Sequence, residues 1–387
     1  MTLLLKRFST LTIAALLSVL IAEVVLRAAD VSFFNQYVYD ENTGNALMPN
    51  AEGWFRSEGN AYIRISSDGL RDREHTRSKP PGTLRIAVLG DSYAEALQVP
   101  MDQTFWSVME KALGDCLKPS RRVEVINFGV SRFGTAQELM MLRSRVWEFD
   151  PDIVLLAFTS QNDVTDNSRE LAQDPERPYF LLREGALVLD DSFRAVVRAK
   201  NTVPTRFLQQ LSTTSRLVQL LREARTAIAS QLAWRGIGSG GADFLRGEQL
   251  RDREMFRVPT GSLAEAWLVT EALLNEMNTE VRSHGSRFYV VTLSSGAQVD
   301  PNKERREALA AELAVPNLDY ADLRVQAAGT RDGYAVLRLA PVLREYAVSH
   351  NVSLHYSNFA PGDGHWNSTA HRIAGEMIAT DVCAKLS

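Results

Sequence analysis

Apolar residues recur along the chain in two different periods. Five short runs, LRIAVLG (84–90), VEVINFG (123–129), DIVLLAF (152–158), RFYVVTL (287–293) and YAVLRLA (334–340), are β-branched and almost continuously apolar. Runs of this kind fit strands covered on both faces, as in a parallel sheet, rather than strands with one face in water. Between and after them the apolar positions take the helical period, which predicts helices near 103–115, 134–148, 262–284, 302–313, 341–350 and 368–384. This alternation predicts an α/β fold. The expected architecture is a flavodoxin-like, doubly wound parallel sheet of five strands in a three-layer α/β/α arrangement, with strand order 2-1-3-4-5.

Two stretches break the alternation. Residues 31–83, rich in Asn, Gly, Asp and Pro, read as an extended lead-in arm, within which YIRISSDGLRD suits a hairpin or edge strand. After the third strand, roughly 95 residues pass before the next core helix, far more than such a connection needs. This insertion, 166–261, contains PYFLLREGALVLD, a hairpin turning at Arg183-Glu184-Gly185, an amphipathic helical run over 204–234, and GIGSGG (236–241), a flexible loop. The domain expectation is therefore a segment 1–30, the arm 31–83, and one α/β domain over 84–387 that carries the insertion.

The first thirty residues differ from all the rest. Lys6 and Arg7 precede an apolar stretch over 11–26, interrupted by Glu23. As a helix it is roughly 24 Å long, close to the thickness of a hydrocarbon core. A cleaved signal peptide, an uncleaved anchor and a buried core helix all have this appearance. Leu26-Arg27-Ala28-Ala29 offers no good small-x-small cleavage site, which favours an inner-membrane anchor. With Lys6 and Arg7 held in the cytoplasm, everything after residue 30 would lie in the periplasm or outside the cell.

Composition narrows the partners. A formal net charge of -4 leaves no basic excess for wrapping a polyanion, so nucleic acid is not an expected partner. The two cysteines, Cys116 and Cys383, exclude a disulfide-dense scaffold and a four-cysteine zinc site. They remain available for one bridge, because the 2-1-3-4-5 order lays the first and last helices side by side in an oxidising compartment. Gly129 to Gly134 has the gap of a phosphate loop, but Thr135 and Ala136 stand where Lys and Ser or Thr would follow. No histidine and carboxylate spacing resembles a metal site, so neither metal nor cofactor is expected.

In an open α/β sheet, ligands gather beyond the carboxyl ends of the strands. Ser92 follows the first strand in VLGDSY, Gly129 ends the second in NFGVSRFG, and Asn162 follows the third in FTSQNDVTDN. His365 precedes the last helix in GDGHWNSTAHRIAGEMIA, with Asp363 two places earlier. Each has a plainer local reading: Gly-Asp-Ser is common turn chemistry, Gly129 terminates a strand, Asn162 and Asp163 cap a helix, and an Asp-x-His pair is unremarkable. Asn367 suits a cap for the final helix, and Trp366 either packs or walls a cleft.

Together, serine, glycine, asparagine and histidine in this order resemble the SGNH, or GDSL-type, hydrolase family over residues 84–385 without the insertion. The resemblance implies Ser92 as nucleophile and His365 as general base, with Asp363 as the acid that orients the histidine. It implies an oxyanion hole from the backbone N–H of Ser92, the N–H of Gly129 and the side chain of Asn162. Three positions depart from the family pattern: Tyr93 stands for the usual leucine, Ser160 for the usual glycine two places before the asparagine, and Asp363 sits two rather than three places before the histidine. The function so implied is a membrane-anchored, extracytoplasmic serine ester hydrolase that forms an acyl-enzyme. Its location points to an acylated carbohydrate or envelope glycan as ester substrate. An O-acyltransferase using the same site, or a catalytically silent sugar-binding or assembly protein, are the alternatives. The sequence identifies no protein partner.

Overall fold

The computed structural model describes residues 2–119, 121–234, 253–357 and 363–386; the expected flexible loop GIGSGG lies outside them. Helix α1 (Thr2–Ala28) is followed by two antiparallel hairpins, β1 (Tyr37–Asp40) with β2 (Gly44–Leu47) and β3 (Glu52–Phe55) with β4 (Ala61–Arg64). Within α1, Arg7–Ala28 has a mean hydropathy of 2.2 and none of it is buried in the protein. Its length and composition suffice to cross a membrane.

The central sheet consists of β5 (Thr83–Gly90), β6 (Arg122–Asn127), β7 (Ile153–Phe158), β10 (Arg287–Thr292) and β11 (Ala335–Arg338), while β8 (Tyr179–Arg183) and β9 (Ala186–Asp190) form a separate hairpin. Its order is β6-β5-β7-β10-β11 and every neighbouring pair is parallel. This is the doubly wound 2-1-3-4-5 sheet expected from the run pattern. All six residues of β7 are buried, as a strand covered on both faces requires.

Alternation along the strands divides the core in two. Ala87, Leu89, Val154, Leu156 and Phe158 face one layer, where they meet helices α4 (Thr135–Ser144), α10 (Gly261–Ser283) and α12 (Tyr320–Asp332). Ile86, Val88, Ile153, Leu155 and Ala157 face the other, against α3 (Phe105–Leu117), α13 (Ala340–His350) and α14 (Ser368–Leu386). Helices α2 (Ser92–Glu95), α5 (Ser160–Thr165) and α6 (Arg169–Ala172) lie at strand ends and connections, α7 (Phe193–Lys200), α8 (Val203–Thr214) and α9 (Arg216–Trp234) follow the β8–β9 hairpin, and α11 (Lys303–Glu312) follows β10.

Helices α3 and α14 run side by side. A Cβ on Gly375 would meet Phe105 O at 2.5 Å, so only glycine permits this approach. The disulfide Cys116–Cys383 ties their carboxyl ends, with Cα atoms 6.6 Å apart and a sequence separation of 267. Closing so long a loop stabilises by about 5 to 6 kcal/mol in the chain-entropy account.

Three elements differ from the sequence reading. Helix α12 was not anticipated, because Gly329 interrupts a weakly apolar stretch. That glycine is needed: a Cβ there would meet Val336 Cγ2 at 2.5 Å and Tyr334 O at 2.9 Å, so its absence lets the helix lie on β11. The helical run over 204–234 is two helices, α8 and α9, broken at Ser215. The arm is also more than a lead-in. Leu47, Met48, Ala61, Ile63, Ile65 and Leu70 are buried in the same core as β5 and β7.

Candidate active site

Ser92 stands where β5 turns into α2. Asp91 caps that short helix: its Oδ1 accepts from Tyr93 N at 3.0 Å and from Thr159 Oγ1 at 3.1 Å. Its other oxygen accepts from Asn162 Nδ2 at 2.8 Å, tying the end of β5 to the start of α5. Ala96, in the left-handed region at φ 52, ends α2 after one turn. The Ser92 hydroxyl is thereby held at the carboxyl edge of the sheet.

Residues 273 positions apart meet there, with Ser92 Oγ 2.8 Å from His365 Nε2. The loop carrying His365 is pinned by Tyr356, whose N–H donates to His365 O at 2.8 Å and whose carbonyl accepts from Gly364 N at 3.0 Å. Next to His365, Trp366 is fully buried and donates to Ser294 Oγ at 3.0 Å, while Asn367 Oδ1 accepts from Thr369 N and Ala370 N at the start of α14.

The carboxylate at His365 Nδ1 is Glu58, not Asp363. Glu58 Oε2 lies 2.6 Å from Nδ1, Oε1 accepts from the His365 backbone N–H at 2.5 Å, and Gln98 Nε2 donates to Oε2 at 3.2 Å. Asp363, offered by the sequence for this place, is exposed on the loop. Glu58 sits in the turn between β3 and β4, which Gly59 makes possible. At φ +73, a Cβ on Gly59 would lie 2.2 Å from Gln98 O, so the turn closes onto the residues after α2 only without a side chain. Burial alone would raise the Glu58 pKa, but the hydrogen bonds and charge of His365 outweigh it and hold the carboxyl below its ordinary range. Sequence reasoning missed Glu58 because a carboxylate in a polar hairpin turn carries no periodic signal. The Glu-Gly pair at that turn was the one available cue.

Two hydrogen-bond donors, the Ser92 N–H and the Asn162 side chain, lie at the same rim. Ser92 N–H opens the first turn of α2, where backbone N–H groups have no partner within the helix. Asn162 Nδ2 spends one hydrogen on Asp91 and has a second. The N–H of Gly129 instead donates to Asn127 Oδ1 at 3.0 Å, and Asn127 is itself fixed through Nδ2 to Ala94 O at 3.0 Å. Gly129 lies directly under α2, where a Cβ would meet Ala94 Cβ at 2.5 Å and Glu95 N at 2.9 Å. The structure thus brings Ser92, His365 and Asn162 to one rim and places Gly129 beneath the serine turn.

Behind Asp91 are two further buried acids, Glu138 on α4 and Asp163 on α5. Burial raises all three, and for Glu138 and Asp163 the neighbouring carboxyls raise them further. Neither carboxyl oxygen of Glu138 has a hydrogen-bond partner among the described residues. A raised folded-state pKa means that folding is unpenalised below the ordinary glutamate pKa and increasingly penalised as pH rises toward the folded value. Glu138→Gln is therefore expected to gain stability relative to the parent as pH is raised from 5 to 8, by up to about 1.4 kcal/mol per pH unit. Urea midpoints at several pH values check this, and a difference independent of pH would show that Glu138 is ionised in the fold.

The rim opens into a cleft of about 1170 Å³. Phe33, Phe34, Trp54 and Arg56 from the arm line it, together with Arg177 and Glu223 from the insertion. The Arg56 guanidinium lies 4.7 Å from the centre of the Trp54 ring. Among the described residues no group of three or more His, Cys, Asp or Glu could hold a metal ion.

No family model matches this chain, and no curated protein matches it. Solved structures do resemble it. One is an acetyl xylan esterase at 10% identity and a TM-score of 0.38, covering 77% of this chain and 99% of that one. Another is a catalytic mutant of an acetylxylan esterase from Geobacillus stearothermophilus, at 10% identity and a TM-score of 0.39, covering 79% and 96%. A third is TesA, at 14% identity and a TM-score of 0.36, covering 77% and 99%.

Proposed function

We propose that this chain is a serine ester hydrolase of the SGNH type that works through an acyl-enzyme on Ser92. The observation that carries the reading is the continuous chain of contacts at the cleft rim, Ser92 Oγ to His365 Nε2 at 2.8 Å and His365 Nδ1 to Glu58 Oε2 at 2.6 Å. His365 Nε2 takes the hydroxyl proton as Ser92 Oγ bonds to the ester carbonyl carbon, and Glu58 balances the imidazolium that results. The carbonyl oxygen, now negative, receives the Ser92 N–H and the free hydrogen of Asn162 Nδ2. Collapse breaks the bond to the leaving alcohol, which takes the proton from His365. Water then repeats the sequence on the acyl-serine and releases the acid. If a second hydroxyl replaces water, the same site performs acyl transfer.

The substrate in this reading is an acylated carbohydrate or envelope glycan. A cleft of about 1170 Å³ exceeds what a short acyl ester needs, and its lining joins aromatic rings with polar and charged side chains, a mixture that suits a sugar's hydroxyls and ring faces. Helix α1 anchors the enzyme in the inner membrane, with Lys6 and Arg7 on the cytoplasmic side and the α/β domain in the periplasm or outside the cell. A fluorophosphonate probe on the intact protein tests the core of the proposal. Covalent labelling at Ser92 is expected, and failure of the folded protein to label would leave a catalytically silent binding protein as the better reading.

A further inference from the structure

The insertion helices α8 and α9 bear directly on α1. Glu23, near the carboxyl end of the apolar helix, accepts from Ser215 Oγ at 2.9 Å and from Arg216 N and Leu217 N at 3.0 Å each, so it shares the capping of α9 with Ser215, whose Oγ accepts from Val218 N at 3.3 Å. Arg27 of α1 donates to Thr214 O at 2.6 Å. The junction between α8 and α9 is thus bolted to the last two turns of α1.

That attachment fixes a depth. Glu23 precedes the end of α1 at Ala28 by five residues, roughly 7.5 Å along the helix. Whatever plane the end of α1 occupies in a bilayer, the groups bonded to Glu23 lie below it. The same two helices carry large apolar side chains with no cover. Val203, Phe207 and Leu208 on α8 are 70%, 65% and 59% exposed, and Leu221 and Ile228 on α9 are 61% and 58% exposed. Positions 203 and 207, and 221 and 228, each share one helix face. Their charges are four arginines, Arg206, Arg216, Arg222 and Arg225, against the single carboxylate Glu223. Apolar side chains and arginines on one short helix pair suit the boundary between acyl chains and anionic headgroups.

We infer that α8 and α9 lie in the outer interface of the membrane that α1 spans, with the bilayer covering their exposed apolar residues. The inference rests on α1 being a membrane span, as proposed above. It gives the insertion a purpose, because the helix pair also grips the irregular segment 31–36 that lines the cleft. Phe33 N donates to Gln219 Oε1 at 3.1 Å and Asn35 Nδ2 to Ser212 Oγ at 2.6 Å. Val31, whose N–H donates to Leu26 O at 2.9 Å, already lines the cleft. The rim of the site therefore begins at the bilayer surface.

The test uses the full chain in vesicles of phosphatidylcholine and phosphatidylglycerol, with one environment-sensitive fluorophore at a time on Leu17→Cys, Phe207→Cys or Arg122→Cys. The two native cysteines are bridged and do not compete. Arg122 begins β6, at the end of the sheet away from the cleft, and is exposed. Nitroxide-labelled lipids are expected to quench the label at 17 from deep in the acyl region and the label at 207 from near the headgroups, each at least about threefold more than at 122. Quenching at 17 with none at 207 beyond that at 122 overturns the inference and leaves the membrane span intact. It would assign the apolar face of α8 to a second copy or a protein partner. Absence of quenching at 17 overturns the span and the inference together.

Discussion

Alanine at Ser92 is expected to lower kcat on any ester that the parent turns over by a factor on the order of 10⁴ to 10⁶, and to abolish fluorophosphonate labelling. The hydroxyl is the atom that forms the acyl bond, and no other nucleophile stands 2.8 Å from His365 Nε2 among the described residues. The substitution leaves the rest of the turn in place. Asp91 holds the turn through Tyr93 N, Thr159 and Asn162, none of which uses the Ser92 side chain, and alanine is at least as good as serine inside a helix. The melting temperature should therefore stay close to that of the parent while activity falls, which separates loss of chemistry from loss of fold. Residual turnover is expected from Ser92→Ala because its backbone N–H and Asn162 still favour a negative oxygen, with water as nucleophile. Full activity in this variant would remove the esterase reading.

What was legible in the sequence follows from what repeats and what does not. The strands could be read because burial on both faces leaves nearly unbroken apolar runs in β5, β7 and β10, with the part-buried edge strands β6 and β11 still mostly apolar, and the rule that sites gather at strand ends then singled out Ser92, Gly129 and Asn162. His365 could be read because it precedes a strongly marked final helix. Helix α12 was hidden by Gly329, whose reason is a contact with Val336 and Tyr334 that no local pattern reveals. The break at Ser215 is only partly local: Ser215 Oγ accepts from Val218 N, but the first two N–H groups of α9 are met by Glu23, 193 residues away from Arg216 in the chain. Glu58 is the same kind of case: its partner is 307 residues distant, and it sits in a turn where polar residues are the rule. Long-range polar contacts made by irregular segments leave no periodic trace, so the sequence offers an acid only beside the histidine, at Asp363, while the carboxylate that His365 Nδ1 meets in the fold is Glu58.

That substitution of one acid for another sets up the second large expected effect. Glu58→Gln should reduce kcat by a factor on the order of 10³ to 10⁴, with KM changed little, whereas Asp363→Asn should stay within about twofold of the parent. Glu58 accepts three donors at once, His365 Nδ1, His365 N and Gln98 Nε2. A glutamine has one carbonyl oxygen to offer them, and its amide hydrogens face donors on the other side. The ring then loses the acceptor that keeps the Nδ1 proton in place, and Nε2 is no longer reliably the free base toward Ser92. The negative charge that balances the imidazolium disappears as well. A second readout distinguishes this from a packing defect. Because the folded-state pKa of Glu58 lies below the ordinary value, its contribution to stability is present above the ordinary carboxylate pKa and is lost as pH falls through the depressed one. The stability difference between parent and Glu58→Gln should accordingly be largest near pH 7 and shrink in acid, which denaturant midpoints measured across that range would detect. A large loss in Asp363→Asn with near-normal Glu58→Gln would return the orienting role to Asp363, and the contact at 2.6 Å would then be structural only.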